Sequence, residues 1–122
     1  MERVFVWSDT FTIKLYKQFS RKEAEEIQGR IEKELREDPE AGDLIEGTHG
    51  LRKLRVSDGN KGKSGSLRVL YLDIKIKERI YIIAFFPKNA KENLSKEEKN
   101  ILASVVLNIK KECENEKQKK KK

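Results

Sequence analysis

The 122-residue chain has almost none of the residues that build covalent or metal-held scaffolds: one cysteine (Cys113), one histidine (His49) and two prolines. A single cysteine closes no internal disulfide, and one cysteine with one histidine cannot supply a zinc finger. Long apolar runs are missing too. The longest, Ile80 to Phe86, falls far short of the roughly 20 residues that a membrane helix needs, and Met1-Glu2-Arg3 opens no signal-peptide pattern. A chain this short has room for one core and no second domain. The expectation is a soluble, intracellular, cytoplasmic protein of one small domain, with no membrane association and no cofactor or metal.

Charge is what the chain has in quantity, with 28 Lys plus Arg against 21 Asp plus Glu. Its distribution is uneven. Residues 1–50 carry 8 basic and 12 acidic side chains, a net of −4; residues 51–91 carry 11 and 3, a net of +8; residues 92–122 carry 9 and 6, a net of +3. The middle of the chain therefore holds the positive field, the pattern that a polyanion such as nucleic acid requires for steering and counterion release.

Val4-Phe5-Val6-Trp7 is a short run of strand formers, closed by Ser8-Asp9-Thr10 as a stop and helix cap. A helix is expected over Thr12 to Lys17. A longer one opens at Ser20, with Glu23 at capping-box spacing, and presents Ala24, Ile27, Ile31 and Leu35 as one stripe until Asp38-Pro39 ends it. Leu51 to Val56, Ser66 to Ile74 and Arg79 to Phe86 read as strands, the last two nearly continuously apolar and so central in a sheet. Lys75 to Glu78 forms a polar hairpin connection, and the Gly- and Lys-rich stretch from Ser57 to Gly65 a longer loop. Ser95 with Glu98 repeats the capping box before a stripe of Ile101, Leu102, Val105, Val106 and Ile109. From about Glu114 to the Lys119–Lys122 run, a frayed basic tail is expected. The predicted domain is residues 1–113, with 114–122 as tail. It is α+β: a small, mostly antiparallel four-stranded sheet with helices packed on one face.

The two-residue period of Leu51-Arg52-Lys53-Leu54-Arg55-Val56 puts Lys53 and Arg55 on one face, and Leu54, Val56 and Arg52 on the other. Arg68 lies on the neighbouring strand and can extend the row of cations, and Lys88 and Lys91 follow the last strand. The chain shows no carboxylate pair for glycoside hydrolysis, no Ser or Cys triad and no carboxylate metal cluster. A cluster of cations suits instead a phosphodiester whose transition state carries extra negative charge. Charge alone leaves open a row of solvated strand residues, and His49, Trp7 and Cys113 read as turn, burial and packing residues respectively.

Gly47-Thr48-His49-Gly50-Leu51-Arg52-Lys53-Leu54-Arg55-Val56, Gly65-Ser66-Leu67-Arg68-Val69-Leu70-Tyr71 and Phe86-Pro87-Lys88-Asn89-Ala90-Lys91-Glu92-Asn93-Leu94 together resemble the HigB branch of the RelE superfamily of toxins. The resemblance includes Val4-Phe5-Val6 and Asp43-Leu44-Ile45-Glu46-Gly47, and extends to about Ile109. It implies a RelE-like fold and the toxin of a type II toxin–antitoxin pair: a ribosome-dependent endoribonuclease, or mRNA interferase, that cuts messenger RNA without a metal. In that family the ribose 2′-hydroxyl attacks the adjacent phosphate and leaves a cyclic phosphate and a 5′-hydroxyl. Carried over by position, Lys53, Arg55, Arg68 and Lys91 are the candidate catalytic residues, Lys53 for proton transfer and the arginines for charge. Arg52, Lys61, Lys63 and Lys88 are candidates for contact with RNA or the ribosome. The implied partners are the ribosome with its messenger and a cognate HigA-like antitoxin, of helix-turn-helix type, with operator DNA reached only through that antitoxin. One departure from the family pattern is the lack of a tyrosine after Lys91. A non-catalytic RNA- or ribosome-binding module, or an antitoxin-binding scaffold, are the competing readings.

Overall fold

Two largely buried apolar strands are the centre of the molecule in the computed structural model, which describes residues 2–59, 66–87 and 93–120, with side chains to residue 116. The elements in chain order are β1 (Val4–Trp7), α1 (Asp9–Gln18), α2 (Arg21–Glu37), β2 (Asp43–Leu44), β3 (Arg52–Ser57), β4 (Ser66–Ile74), β5 (Arg79–Pro87) and α3 (Lys96–Lys120), with one 3-10 turn at Lys75–Lys77. The sheet has five strands in the order β1-β5-β4-β3-β2. β1 runs parallel to β5, and every other neighbour is antiparallel. The expected α+β class and mostly antiparallel sheet are present. The strand count was one short, because β2 pairs through only two residues, Asp43 with Lys53 and Leu44 with Arg52.

The expectation of helices on a single face is corrected by the packing. Leu67, Val69 and Tyr71 of β4 join Leu54, Val56, Ile80, Ile82 and Phe85 beneath Phe11 and Leu15 of α1 and Ala24, Ile27, Ile31 and Leu35 of α2. Leu70 and Leu72 point the other way, with Leu51, Ile83 and Phe86, and there Val106 of α3 covers them. A strand apolar at odd and even positions alike must be covered twice, so the third helix takes the second face.

A bulge adjusts the register between the two inner strands. Leu70 faces Ala84 while Tyr71 faces Ile82, so Ile83 has no opposite number. Ile83 and Ala84 thereby both turn towards α3, and the alternation restarts with Phe86 directly opposite Arg68. Ser8 anchors the same place from the other side: its Oγ accepts from Phe11 N (3.1 Å), capping α1, and donates to Ile83 O (2.8 Å). This cap falls within the expected Ser8-Asp9-Thr10, but the helix starts at Asp9 and not at the expected Thr12, so α1 is longer by a turn. The other two caps match expectation, with Ser20–Glu23 and Ser95–Glu98 each closed by reciprocal bonds of 2.9–3.1 Å.

α3 continues past Glu114, where a frayed tail was expected, to Lys120. Arg79 explains the order as far as Glu116, whose carboxylate it grips with bonds of 2.8 and 3.0 Å, while the Tyr81 hydroxyl meets Cys113 Sγ at 3.4 Å. A second ion pair, Arg3 with Asp73 (2.8 and 3.3 Å), is almost wholly buried and fastens the chain before β1 across β5 to β4.

The connection from α2 to β2 is held by Tyr71, which is fully buried. Its hydroxyl donates to Pro39 O (2.8 Å) and accepts from Gly42 N (2.9 Å). A Cβ on Gly42 would stand 2.8 Å from both Lys53 O and the Tyr71 ring, so only glycine fits. Burial pushes the Tyr71 phenol up to about 12, against a smaller opposing effect of the Gly42 hydrogen bond. The unfolded chain therefore ionises first, and the stability held below pH 10.0, the ordinary phenol value, is lost as pH rises through about 12. Urea unfolding of Tyr71→Phe should show a loss of about 1–3 kcal/mol at neutral pH. The variant should also lack the part of the wild-type decline that this phenol causes above pH 10.0. Equal alkaline declines in the two proteins would refute the assignment.

Candidate active site

The faces of β3 and β4 decide where the cations go. Leu54 and Val56 are committed to the α1/α2 side, so the alternate positions, Lys53 and Arg55, point to the α3 side. Arg68 lies two residues before Leu70 and takes the same side. The register then sets Arg55 directly opposite Arg68, and Lys53 opposite Leu70. Directly opposed residues have Cβ atoms about 4.5–5.5 Å apart, so two guanidinium groups are forced into each other's neighbourhood.

Their environments differ. Arg55 is exposed and Lys53 half-buried, whereas Arg68 retains only 5% of its accessible surface. Its guanidinium donates to Ser66 Oγ at 3.3 Å. Among the described residues no carboxylate forms an ion pair with Arg68 or Arg55. A buried cation facing a second cation, with no carboxylate paired to either among the described residues, is unfavourable by itself and is relieved when an anion enters.

The space for that anion is a hollow of about 180 Å³ lined by Asp43, Lys53, Arg55, Arg68 and Asn93. Taking about 30 Å³ per water, it has room for a phosphodiester group. A second hollow of about 300 Å³ shares Asp43, Lys53 and Asn93 and extends along Leu44, Ile45, Glu46, Leu94 and Lys99. Among the described residues, three cations against one carboxylate line the smaller hollow, an excess of positive charge.

Of the residues expected from sequence, the fold thus gathers Lys53, Arg55 and Arg68. It does not bring Arg52 to them. Arg52 lies on the opposite face, across from Tyr71, where its Nη1 donates to Gly42 O (2.6 Å) and Glu40 O (3.2 Å); it clamps the α2–β2 connection. Lys61, Lys63, Lys88 and Lys91 lie outside the described residues. Asp43 and Asn93 were not anticipated as site residues. Asp43 arrives through β2, whose two residues carry no periodicity, and Asn93 through its place two residues before the Ser95 cap. His49 occupies a turn with φ of 60°, and its carbonyl oxygen accepts from Lys110 Nζ at 2.7 Å. Trp7 packs its ring 5.5 Å from that of Phe11.

With the geometry established, comparison with known proteins is informative. A family model described as the RelE toxin of the RelE/RelB toxin–antitoxin system matches residues 10–121. Among solved structures, the chain is similar to a doubly substituted mutant of the E. coli toxin RelE in the free state, at 19% identity and a TM-score of 0.52, covering 75% of this chain and 90% of that one. That likeness is one of fold.

The opposed arginines make a measurable conflict. Arg55→Gln should raise stability in thermal or urea unfolding by about 0.2–1 kcal/mol, because it removes a like-charge cross-strand pair. It should at the same time weaken binding of a labelled single-stranded RNA and flatten its log–log salt dependence by roughly 0.7 for each phosphate that the variant no longer neutralises. A variant that is no more stable and binds with an unchanged salt slope would refute an anion site here.

Proposed function

Because the chain belongs to the RelE toxin family, we propose that it is the toxin of a type II toxin–antitoxin pair, HigB-like in type, and that it cuts messenger RNA on the ribosome. The observation that carries this reading is Arg68, buried, without a carboxylate partner among the described residues and opposite Arg55 in a hollow that also holds Lys53. RNA brings its own nucleophile. The 2′-oxygen attacks the adjacent phosphorus, the bond to the 5′-oxygen breaks, and a 2′,3′-cyclic phosphate and a 5′-hydroxyl result, with no step that needs a metal. Arg68 and Arg55 hold the non-bridging oxygens, whose charge grows in the transition state, and they remain protonated throughout. Lys53 is the proton-transfer group. Lys91 joins the catalytic set, and Lys61, Lys63 and Lys88 the RNA or ribosome contacts, on resemblance and charge pattern alone.

The net charge of +8 over residues 51–91 supports a polyanionic target. A HigA-like antitoxin is the proposed partner, and the ribosomal target puts the activity in the cytoplasm. No helix among the described residues is long and apolar enough to cross a membrane.

Induction of the wild type in bacterial cells should arrest growth and create new messenger 5′-hydroxyl ends inside translated codons. Arg68→Ala, checked for folding by circular dichroism, should cut cleavage on purified ribosome–messenger complexes by about 10²–10³-fold. Wild-type protein that folds and leaves messengers intact would refute the nuclease and favour a binding module of the same fold.

A further inference from the structure

The hollow around Arg68 contains two described groups to which the family resemblance gives no role, Asp43 and Asn93. Its described lining is Asp43, Lys53, Arg55, Arg68 and Asn93. Cleavage through the 2′-hydroxyl requires two proton movements: one off the attacking 2′-oxygen, and one onto the departing 5′-oxygen. Arginine does neither, because it does not release its proton in proteins, and the asparagine amide has no proton to exchange at working pH. A lysine ammonium arrives at neutral pH with a proton to give. A carboxylate arrives with a lone pair to receive one. Among the described residues lining the hollow, each requirement is therefore met by one residue.

From this, we infer that Asp43 is a catalytic residue, the general base that takes the 2′-hydroxyl proton, and that Lys53 is the general acid at the 5′-oxygen. The inference rests on the nuclease reading above and deepens it. In the full step the Asp43 carboxylate gains the 2′-proton and the 2′-oxygen bonds to phosphorus. The phosphorus–5′-oxygen bond breaks onto oxygen, and Lys53 returns a proton there. One proton enters the protein and one leaves it, and proton exchange with solvent restores both groups.

Geometry supports the pairing. Asp43 is directly opposite Lys53 in the β2–β3 register, so both side chains emerge on the face that carries Arg55 and Arg68. Asp43 is exposed, which leaves its carboxylate within reach of a ribose bound at the mouth. Its backbone is fixed by the preceding residue: Gly42 N is bonded to the Tyr71 hydroxyl, and Gly42 O to Arg52 Nη1. A base on a two-residue strand is thus held by the buried Tyr71 and the half-buried Arg52 on the far side of the sheet. With three cations lining the same hollow, the carboxylate does not cancel the attraction for phosphate.

The rival reading is that Asp43 serves only to hold Lys53 across the strand pair. A substrate with sulfur in place of the bridging 5′-oxygen separates the two, because a thiolate leaves without being protonated. Single-turnover cleavage of ribosome-bound messenger should be measured for wild type, Asp43→Asn, Asp43→Glu and Lys53→Met, on the oxygen and sulfur substrates, across pH. On the oxygen substrate Asp43→Asn should lose about 10²–10⁴-fold in the chemical step with KM within a few-fold. It should also lose the fall in rate on the acid side of the profile, which Asp43→Glu should restore. On the sulfur substrate the Lys53→Met defect should largely disappear and the Asp43→Asn defect should persist. If sulfur repairs both variants equally, or Asp43→Asn keeps wild-type rate and pH profile, Asp43 is not the base, although the nuclease reading stands. A wild type that leaves the oxygen substrate intact overturns both.

Discussion

Strand β4 has no side that faces water, and most of the architecture follows from that one constraint. Its residues from Leu67 to Leu72 are all buried, and each large apolar side chain so placed contributes about 1.5–3 kcal/mol. No single layer can provide this cover, because successive side chains point to opposite faces. The chain answers with α1 and α2 on one side and α3 on the other. The fastenings that hold these layers in place, Ser8 on Ile83, Arg79 on Glu116 and Arg3 on Asp73, all run to β4 or its neighbour β5.

The same constraint makes Arg68 unusual. A polar side chain on an edge strand could turn into solvent. On a central strand, with Arg55 on one side and Phe86 on the other, it has nowhere to go. Its desolvation is imposed by the apolar residues around it, whose burial stabilises the fold far more than burying one guanidinium with no carboxylate partner among the described residues costs. In a setting of lowered dielectric the cation interacts more strongly with an incoming phosphate than a surface arginine would. The site is therefore an electrostatic defect that the hydrophobic core maintains, and the receptivity to anions proposed for it and its cost to stability have one origin.

How much of this is legible in the sequence depends on the length of the signal. Long periodic segments were readable: the α2 stripe of Ala24, Ile27, Ile31 and Leu35 is buried as expected, and β4 occupies the expected residues. Two-residue alternation also placed Lys53 and Arg55 on one face. The alternation shows that both faces of a strand are apolar, but it does not say which helix covers which, so the position of α3 was missed. β2 was missed because two residues have no period. Arg52 marks the limit of charge as a guide: its place in the pattern put it on the Leu54 side, and only the geometry of the α2–β2 connection shows carbonyl oxygens waiting there. Asp43 is the converse case, a residue with no distinctive local pattern whose partner is set by a hairpin register.

The parts of the site differ in how they are held, and the differences match what each must do. In the proposed reaction Arg68 must be ready before the substrate arrives, and it sits buried on a central strand. Arg55 lies one strand further out and is exposed, which in the proposed reaction lets it follow the phosphate as charge develops. Lys53, half-buried on the same strand as Arg55, faces the exposed Asp43 across a strand pair of only two residues, where the groups proposed to gain and lose protons stay in exchange with water. Burying them beside Arg68 would penalise their charged forms and block their return to the starting protonation states. From β4 to β2 the register thus runs from a buried arginine, through β3 with its half-buried Lys53 and exposed Arg55, to an exposed carboxylate. The register of three neighbouring strands is enough to produce that order.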